Sequence, residues 1–147
     1  MLHRPPSPSF WKRLQAAYFL WLGKVHRHYG IVLGSQAEFA RAIGCYGHAL
    51  ALDSTLSQAH LERGILLWRE LGQASQAVAD FNAALALRPG WPEPIFCRGM
   101  AHQSMGNYRA AIQDLAAYIA SDDQTWRDHA IRQLALIRAL LQESEQA

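Results

Sequence analysis

Cys45 and His48 are the residues of this chain whose types and spacing could carry chemistry most directly. Three positions apart on a helix, they share one face. A thiolate–imidazole pair or half of a zinc site needs that proximity. No third ligand continues the pattern, so both read as packing residues. His26 and His28 are two apart and would project to different sides of a helix. The chain has two cysteines, Cys45 and Cys97. They are too few for a disulfide framework and too distant for a CxxC motif, and they read as small buried residues in a reducing compartment. The sequence shows no glycine-rich phosphate loop, paired catalytic carboxylates or nucleophile elbow. The expectation is a protein that is not an enzyme, with no cofactor and no metal.

The elements that must position these side chains are helical. Half of the 147 residues are apolar, and Ala and Leu dominate over β-branched types. The prolines and glycines then punctuate helices. Net charge is +2, but it is unevenly spread. Residues 1–34 carry Arg4, Lys12, Arg13, Lys24 and Arg27 and no acid, while the rest is mildly acidic. Five cations on such a body are thin for a phosphate footprint, and no nucleic-acid motif accompanies them, so nucleic acid is not an expected partner. The apolar run Ala16–Leu22 is too short for a membrane span and lacks the cleavage pattern of a signal peptide.

The chain repeats itself. RGILLWRELGQASQAVADFNAALALRP, from Arg63, aligns with RGMAHQSMGNYRAAIQDLAAYIASDD, from Arg98. Gly64 matches Gly99 at a spacing of 35, whereas Ala77 matches Ala111, and Phe81 matches Leu115, at 34. The difference places a one-residue insertion near Glu70 and Leu71. A third copy, FARAIGCYGHALALDS from Phe39, sets Ala42, Tyr46 and Ala49 against Ala77, Phe81 and Ala84. Gly30 falls twelve residues before Ala42, as Gly99 does before Ala111.

This pattern resembles the tetratricopeptide repeat: a small residue in the first helix, Gly in the turn, Ala, an aromatic and Ala in the second helix, then Leu-x-Leu and Pro. The copy from Ser57 fits best, with Gly64, Gly72, Ala77, Phe81, Ala84 and Pro89 in place. The copy from Pro92 departs at Tyr118 and Asp123, where Ala and Pro are usual, and the first copy has Ser54 in the Pro slot. The resemblance implies an all-α solenoid of about three helix pairs with a C-terminal solvating helix. The expected layout is a disordered Pro-rich segment over 1–8 and one domain over 9–147. Its repeats fall at about 23–56, 57–91 and 92–125, with a capping helix over 125–142. Helices are expected at Ser9–Leu33, Ser35–Leu52, Ser57–Leu71, Ser75–Leu87, Pro92–Met105 and Tyr108–Ala120, then the terminal one. Gly30, Gly64 and Gly99 should admit the partner helix closely, and Gly72 and Gly106 should turn the chain.

The resemblance also implies a concave groove lined by the first helix of each pair. Its positions here are Lys24, Arg27 and Ile31, then Gln58, Leu61, Ile65 and Trp68, then Glu93, Phe96, Met100 and Gln103. Arg127, Ala130, Leu134 and Ile137 of the last helix could join them. Trp68, Phe96 and Met100 are anchor types for a partner's apolar segment, or else they pack under the terminal helix. Some relatives clamp acidic chaperone tails with Lys, Asn and Arg. Here Ile31, Glu62, Glu93 and Cys97 stand at those positions, and two carboxylates would repel such a tail. The expected function is a protein–protein interaction scaffold, adaptor or assembly subunit.

The segment SFWKRLQAAYFLWLGKVHRHYG, Ser9 to Gly30, adds a second candidate surface. Trp11, Leu14, Tyr18, Trp21, Leu22 and Val25 form one stripe at helical spacing, with Lys12 and Arg13 beside it. Three readings stay open: a packed extension, a contact with a protein partner or a second copy of the chain, and a helix at an anionic membrane surface. The last makes the protein a peripheral membrane-associated accessory subunit. The expected location is cytoplasmic, with membrane-peripheral placement as the variant.

Overall fold

Ser7 holds extended backbone ahead of Pro8, and a proline in a helix's first turn sacrifices no hydrogen bond. The first helix, α1 (Pro8–Leu33), therefore starts there. The computed structural model describes residues 7–146. Of the segment expected to be disordered, residues 1–6 lie outside the described residues, and Pro8 is already helical. Six helices follow: α2 (Gln36–Leu52), α3 (Ser57–Arg69), α4 (Ala74–Leu87), α5 (Pro92–Ser104), α6 (Tyr108–Ile119) and α7 (Arg127–Gln146). No strand occurs among the described residues. Each helix packs chiefly on its neighbours in sequence, as α1·α2, α3·α4 and α5·α6 pairs joined through α2·α3 and α4·α5, with α7 on α6. The expected all-α solenoid of three pairs plus a solvating helix is what forms.

Turns end the helices where glycine permits it. Gly106 has φ 75°, which an L side chain rarely adopts, and it separates α5 from α6. The α3–α4 connection holds Glu70, Leu71, Gly72 and Gln73, one residue more than Met105, Gly106 and Asn107 of the α5–α6 connection. The insertion inferred from the unequal spacings is thus housed in a turn, where it disturbs no packing register.

Close approach explains the glycines inside helices. A Cβ at Gly64 would lie 2.7 Å from the Phe81 ring, and one at Gly99 would lie 3.0 Å from Asp114 Cβ. The first pair corrects the expected alignment. Gly30 does admit α2, but against Phe39, whose ring would lie 2.6 Å from its Cβ. The glycine that faces the repeat aromatic Tyr46 is Gly23, at 2.5 Å. Gly23, not Gly30, is the counterpart of Gly64 and Gly99, because each arm of the α1–α2 hairpin is about one helical turn longer between its packing residue and Gly34.

Tyr46, Phe81, Leu115 and Tyr118 are fully buried, as are Ala42, Ala77 and Ala111. Each large side chain removed from water stabilises the fold by about 1.5–3 kcal/mol. The alanines allow the two helices of a pair to sit close enough for those rings to fill the space between pairs.

Two carboxylates are buried with them. Arg63 grips Asp80 in a two-pronged contact (Nε–Oδ2 2.8 Å, Nη2–Oδ1 2.7 Å), and His60 Nδ1 lies 2.9 Å from the same Oδ1. Arg98 repeats this on Asp114 at 2.8 and 2.6 Å. Each Arg immediately precedes a packing glycine, and each Asp precedes the repeat aromatic or its Leu115 substitute. The Arg-Gly and Asp-Phe/Asp-Leu pairs were visible signals in the repeat alignment. In the first pair Leu22 and Cys45 occupy these places, and no ion pair is needed.

The two departures of the third repeat serve the end of the stack. Tyr118 is wholly buried; its hydroxyl donates to Asp123 Oδ2 at 3.1 Å and accepts from the Trp126 N–H at 2.9 Å. Asp123 in turn accepts from the Thr125 backbone and hydroxyl. An Ala and a Pro could make none of these bonds, which steer the chain from α6 into α7.

Candidate functional site

The alternation of helices brings α1, α3 and α5 to one side of the stack, where spacings of three and four select the lining. A cavity of about 330 Å³ opens there. Arg27 comes from α1, and Ile65, Trp68 and Arg69 come from α3. Glu93, Phe96, Cys97 and Met100 come from α5, while Trp126 and His129 close the side facing α7. That volume is at the low end for ligand pockets, of a size to take side chains rather than a large cofactor.

Six of the residues expected in the groove therefore meet around one cavity: Arg27, Ile65, Trp68, Glu93, Phe96 and Met100. The others do not. Leu61 is 0% exposed and belongs to the core, so it has no surface to offer a partner. Lys24 is exposed on α1 but is not part of the cavity wall. Ile31 is 61% exposed and lines a separate hollow near the end of α1, with Arg27, Phe39 and Leu66. Its displacement follows from the longer first hairpin: groove positions counted from Gly30 fall two turns beyond those counted from Gly23. From α7, Ala130, Leu134 and Ile137 are buried in the core, and Arg127 is tied to the Ile119 carbonyl at 2.6 Å. Gln103 donates to Gln133 at 2.7 Å.

Arg69, Trp126 and His129 were missed as lining residues. Arg69 could have been found, since it lies four residues after Ile65 on the same helix. Trp126 sits in the connection before α7, where no periodicity marks a face. It stacks on Phe96 with ring centroids 5.1 Å apart and an interplanar angle of 14°, and His129 meets Phe96 edge-on at 5.9 Å. Phe96 is consequently only 7% exposed. Trp68 and Met100 stay half-buried.

The polar groups beneath this surface are unevenly matched. Glu62 is buried, with its carboxylate 3.1 Å from Arg27 Nη1 and accepting from Gln58 Nε2 at 3.1 Å. Glu93 stands in the first turn of α5 and makes no such pairing. Burial raises its carboxyl above the ordinary glutamate value, and the Glu62 charge adds to the shift. Burial likewise pushes the Cys97 thiol up to about 12, which removes it as a nucleophile.

The second surface is the outer side of α1. Trp11, Tyr18 and Trp21 are each more than half exposed, as are Phe10, Leu14 and Tyr29, and Lys12 and Arg13 lie beside them in solvent. Tyr18 and Trp21 have ring centroids 6.2 Å apart along the stripe. The inner side of the same helix is pinned to α2 by Ala16, Gly23 and Gly30, and by His26 Nδ1 at 2.7 Å from Glu38 Oε2. That bond is the main cause holding the Glu38 carboxyl below its usual value.

The residues with potential chemistry are placed for packing. His48 stacks on Phe19 (5.2 Å, 29°), and burial raises the neighbouring Cys45 thiol. Among the described residues no three His, Cys, Asp or Glu side chains gather to hold a metal ion. None of the described helices is long and apolar enough to cross a membrane.

No protein-family model matches the chain. A curated rice (Oryza sativa subsp. japonica) protein, probable serine/threonine-protein kinase BSK3, is 29% identical over 89 residues, or 58% of this chain. The match spans only 18% of that kinase's length. Solved structures agree over far more of the chain. The first TPR domain of human RPAP3 superimposes with a TM-score of 0.74 at 21% identity, covering 90% of this chain and 98% of that one. The Sgt2 TPR domain of Aspergillus fumigatus gives 0.72 at 18% identity, covering 97% and 85%. The first TPR of Spaghetti (RPAP3) bound to the HSP90 peptide SRMEEVD gives 0.74 at 20% identity, covering 88% and 94%. The repeated glycine–aromatic packing, the three helix pairs and these superpositions together give this chain the tetratricopeptide-repeat fold.

Proposed function

We propose that the protein is an interaction scaffold, an adaptor or assembly subunit, that takes a partner segment in its concave groove. The observation that carries this reading is the preformed cavity, lined by half-buried Trp68 and Met100 together with the stacked Phe96–Trp126 pair. A rigid aromatic ring that stays accessible in a concave site anchors a partner's apolar residues at small entropic cost, and a flexible Met adapts its shape to them. The peptide-bound RPAP3 domain, similar in fold, supports a groove-binding mode. It does not support the same ligand, because Glu93 in the cavity wall would face an acidic tail. The site of action we propose is the cytoplasm. The test is affinity capture from the native cell with wild type and a Trp68→Ala, Met100→Ala double variant, compared protein by protein. Partners captured equally by both would refute groove binding.

A second reading is favoured by the half-exposed aromatic stripe of α1 with its cations. Trp and Tyr flanked by Lys and Arg suit the headgroup layer of an anionic membrane, which would make the protein a peripheral accessory subunit. Sedimentation with phosphatidylserine vesicles tests it, and light scattering over a range of concentrations tests the alternative of self-association through the same face.

A further inference from the structure

The cavity in the groove has a charge of its own to satisfy. Glu62 is already met by Arg27 and Gln58. Asp123, the third carboxylate near Glu93, is met by Tyr118 and Thr125. Glu93 lines the cavity and has no hydrogen bond or ion pair among the described residues. The same cavity is lined by Trp68, Phe96, Trp126 and Met100. A carboxylate inside an aromatic wall is complementary to an organic cation, which gains from both the charge and the ring quadrupoles. Two arginines also line the cavity: Arg27, whose charge partly offsets the rise of the Glu93 carboxyl but whose ion pair is with Glu62, and Arg69, which is exposed to solvent, where its repulsion is screened.

We propose that the groove cavity receives a lysine or arginine side chain of the partner segment, its cation against the Glu93 carboxylate and its stem along Trp68 and Met100. The specificity is opposite in sign to that of a groove built for an acidic tail such as SRMEEVD. It rests on the groove-binding reading above and adds the chemistry of the ligand. Burial of Glu93 agrees with it: the site holds a carboxylate at a cost that a bound cation would offset.

The test uses three blocked hexapeptides of leucine and serine that differ only at one central residue: arginine, glutamate or uncharged norleucine. Each is titrated into the full chain while the indole N–H resonances of Trp68 and Trp126 are followed by NMR. The arginine peptide should bind about tenfold more tightly than the norleucine peptide, and the glutamate peptide most weakly. Glu93→Gln should remove the arginine advantage and leave norleucine binding unchanged. Equal binding of arginine and norleucine peptides would overturn the charge preference while leaving groove binding intact. Tighter binding of the glutamate peptide would overturn it as well. If none of the three shifts either indole, both the preference and the groove reading fall. Because Gln preserves the shape of Glu, a folded Glu93→Gln protein that keeps the arginine preference also overturns the proposal.

Discussion

The groove and the outer side of α1 are made from the same kinds of residue and end in opposite states. Phe96 in the groove is covered by Trp126 and His129 and backed by the core, and 7% of it is left exposed. Trp21 on α1, a larger ring, is 58% exposed. The difference lies in neighbours rather than in composition. Helices inside the stack have neighbours on both sides, whereas α1 is the first of the described helices and no described residue covers its outer face. Aromatic content alone therefore does not separate core from interface. Position in the stack does.

The sharpest way to break this comparison is thermodynamic. Phe96→Ala should cost about 3–5 kcal/mol, as expected for a buried aromatic truncated in a packed site. Trp21→Ser should stay within about 0.5 kcal/mol, as for a surface site. Urea midpoints decide it. A large loss at Trp21 would mean that α1's outer face is covered in solution, as in a self-associated form. Next, the Trp68→Ala, Met100→Ala pair should weaken partner capture by roughly 30-fold, close to the 2 kcal/mol typical of anchor residues, whereas Trp11→Ser with Trp21→Ser should leave it unchanged. If the α1 pair abolishes capture instead, the two regions exchange roles.

Charge reversal at Lys12, Arg13 and Lys24 should release the protein from anionic vesicles, since each cation near such a surface contributes about 1 kcal/mol. Persistent sedimentation would remove the electrostatic membrane reading. Tyr118→Phe should cost about 1–2 kcal/mol through its two lost hydrogen bonds and should loosen the Trp126 cover, which Trp fluorescence can follow. The smallest effect concerns Glu93. Its carboxyl is raised in the folded chain, so the native state binds more protons than the unfolded one in the upper glutamate range and wild type loses stability as pH rises there. Glu93→Gln should therefore melt slightly higher than wild type at pH 7 and at the same temperature near pH 3. An identical difference at both pH values would show that Glu93 is solvated like the cations on α1.

Much of this was legible in the sequence, because local rules coincide with repetition. Gly64, Phe81 and Ala84 recur at matching positions in a neighbouring copy, and the insertion near Glu70 could be located from two unequal spacings. The first pair shows where such legibility fails. Gly23 and Gly30 are seven residues apart, about two helical turns, so both lie on the face turned to α2. Periodicity cannot tell which of them meets the repeat aromatic. The choice depended on the length of the hairpin, and it carried Ile31 away from the groove and left Arg27 in it.

The sequence by itself determined the helices, their pairing and the order of the stack. Each rests on contacts between chain neighbours: glycine at a turn, a gap before a ring, an apolar stripe at helical spacing. Only the tertiary structure decided which apolar residues are core and which are surface. Leu61 and Ile31 look alike in a repeat pattern, yet one is sealed and the other open. Burial depends on what a distant segment brings, as Trp126 does to Phe96, and a single Tyr118 hydroxyl helps direct that segment into place.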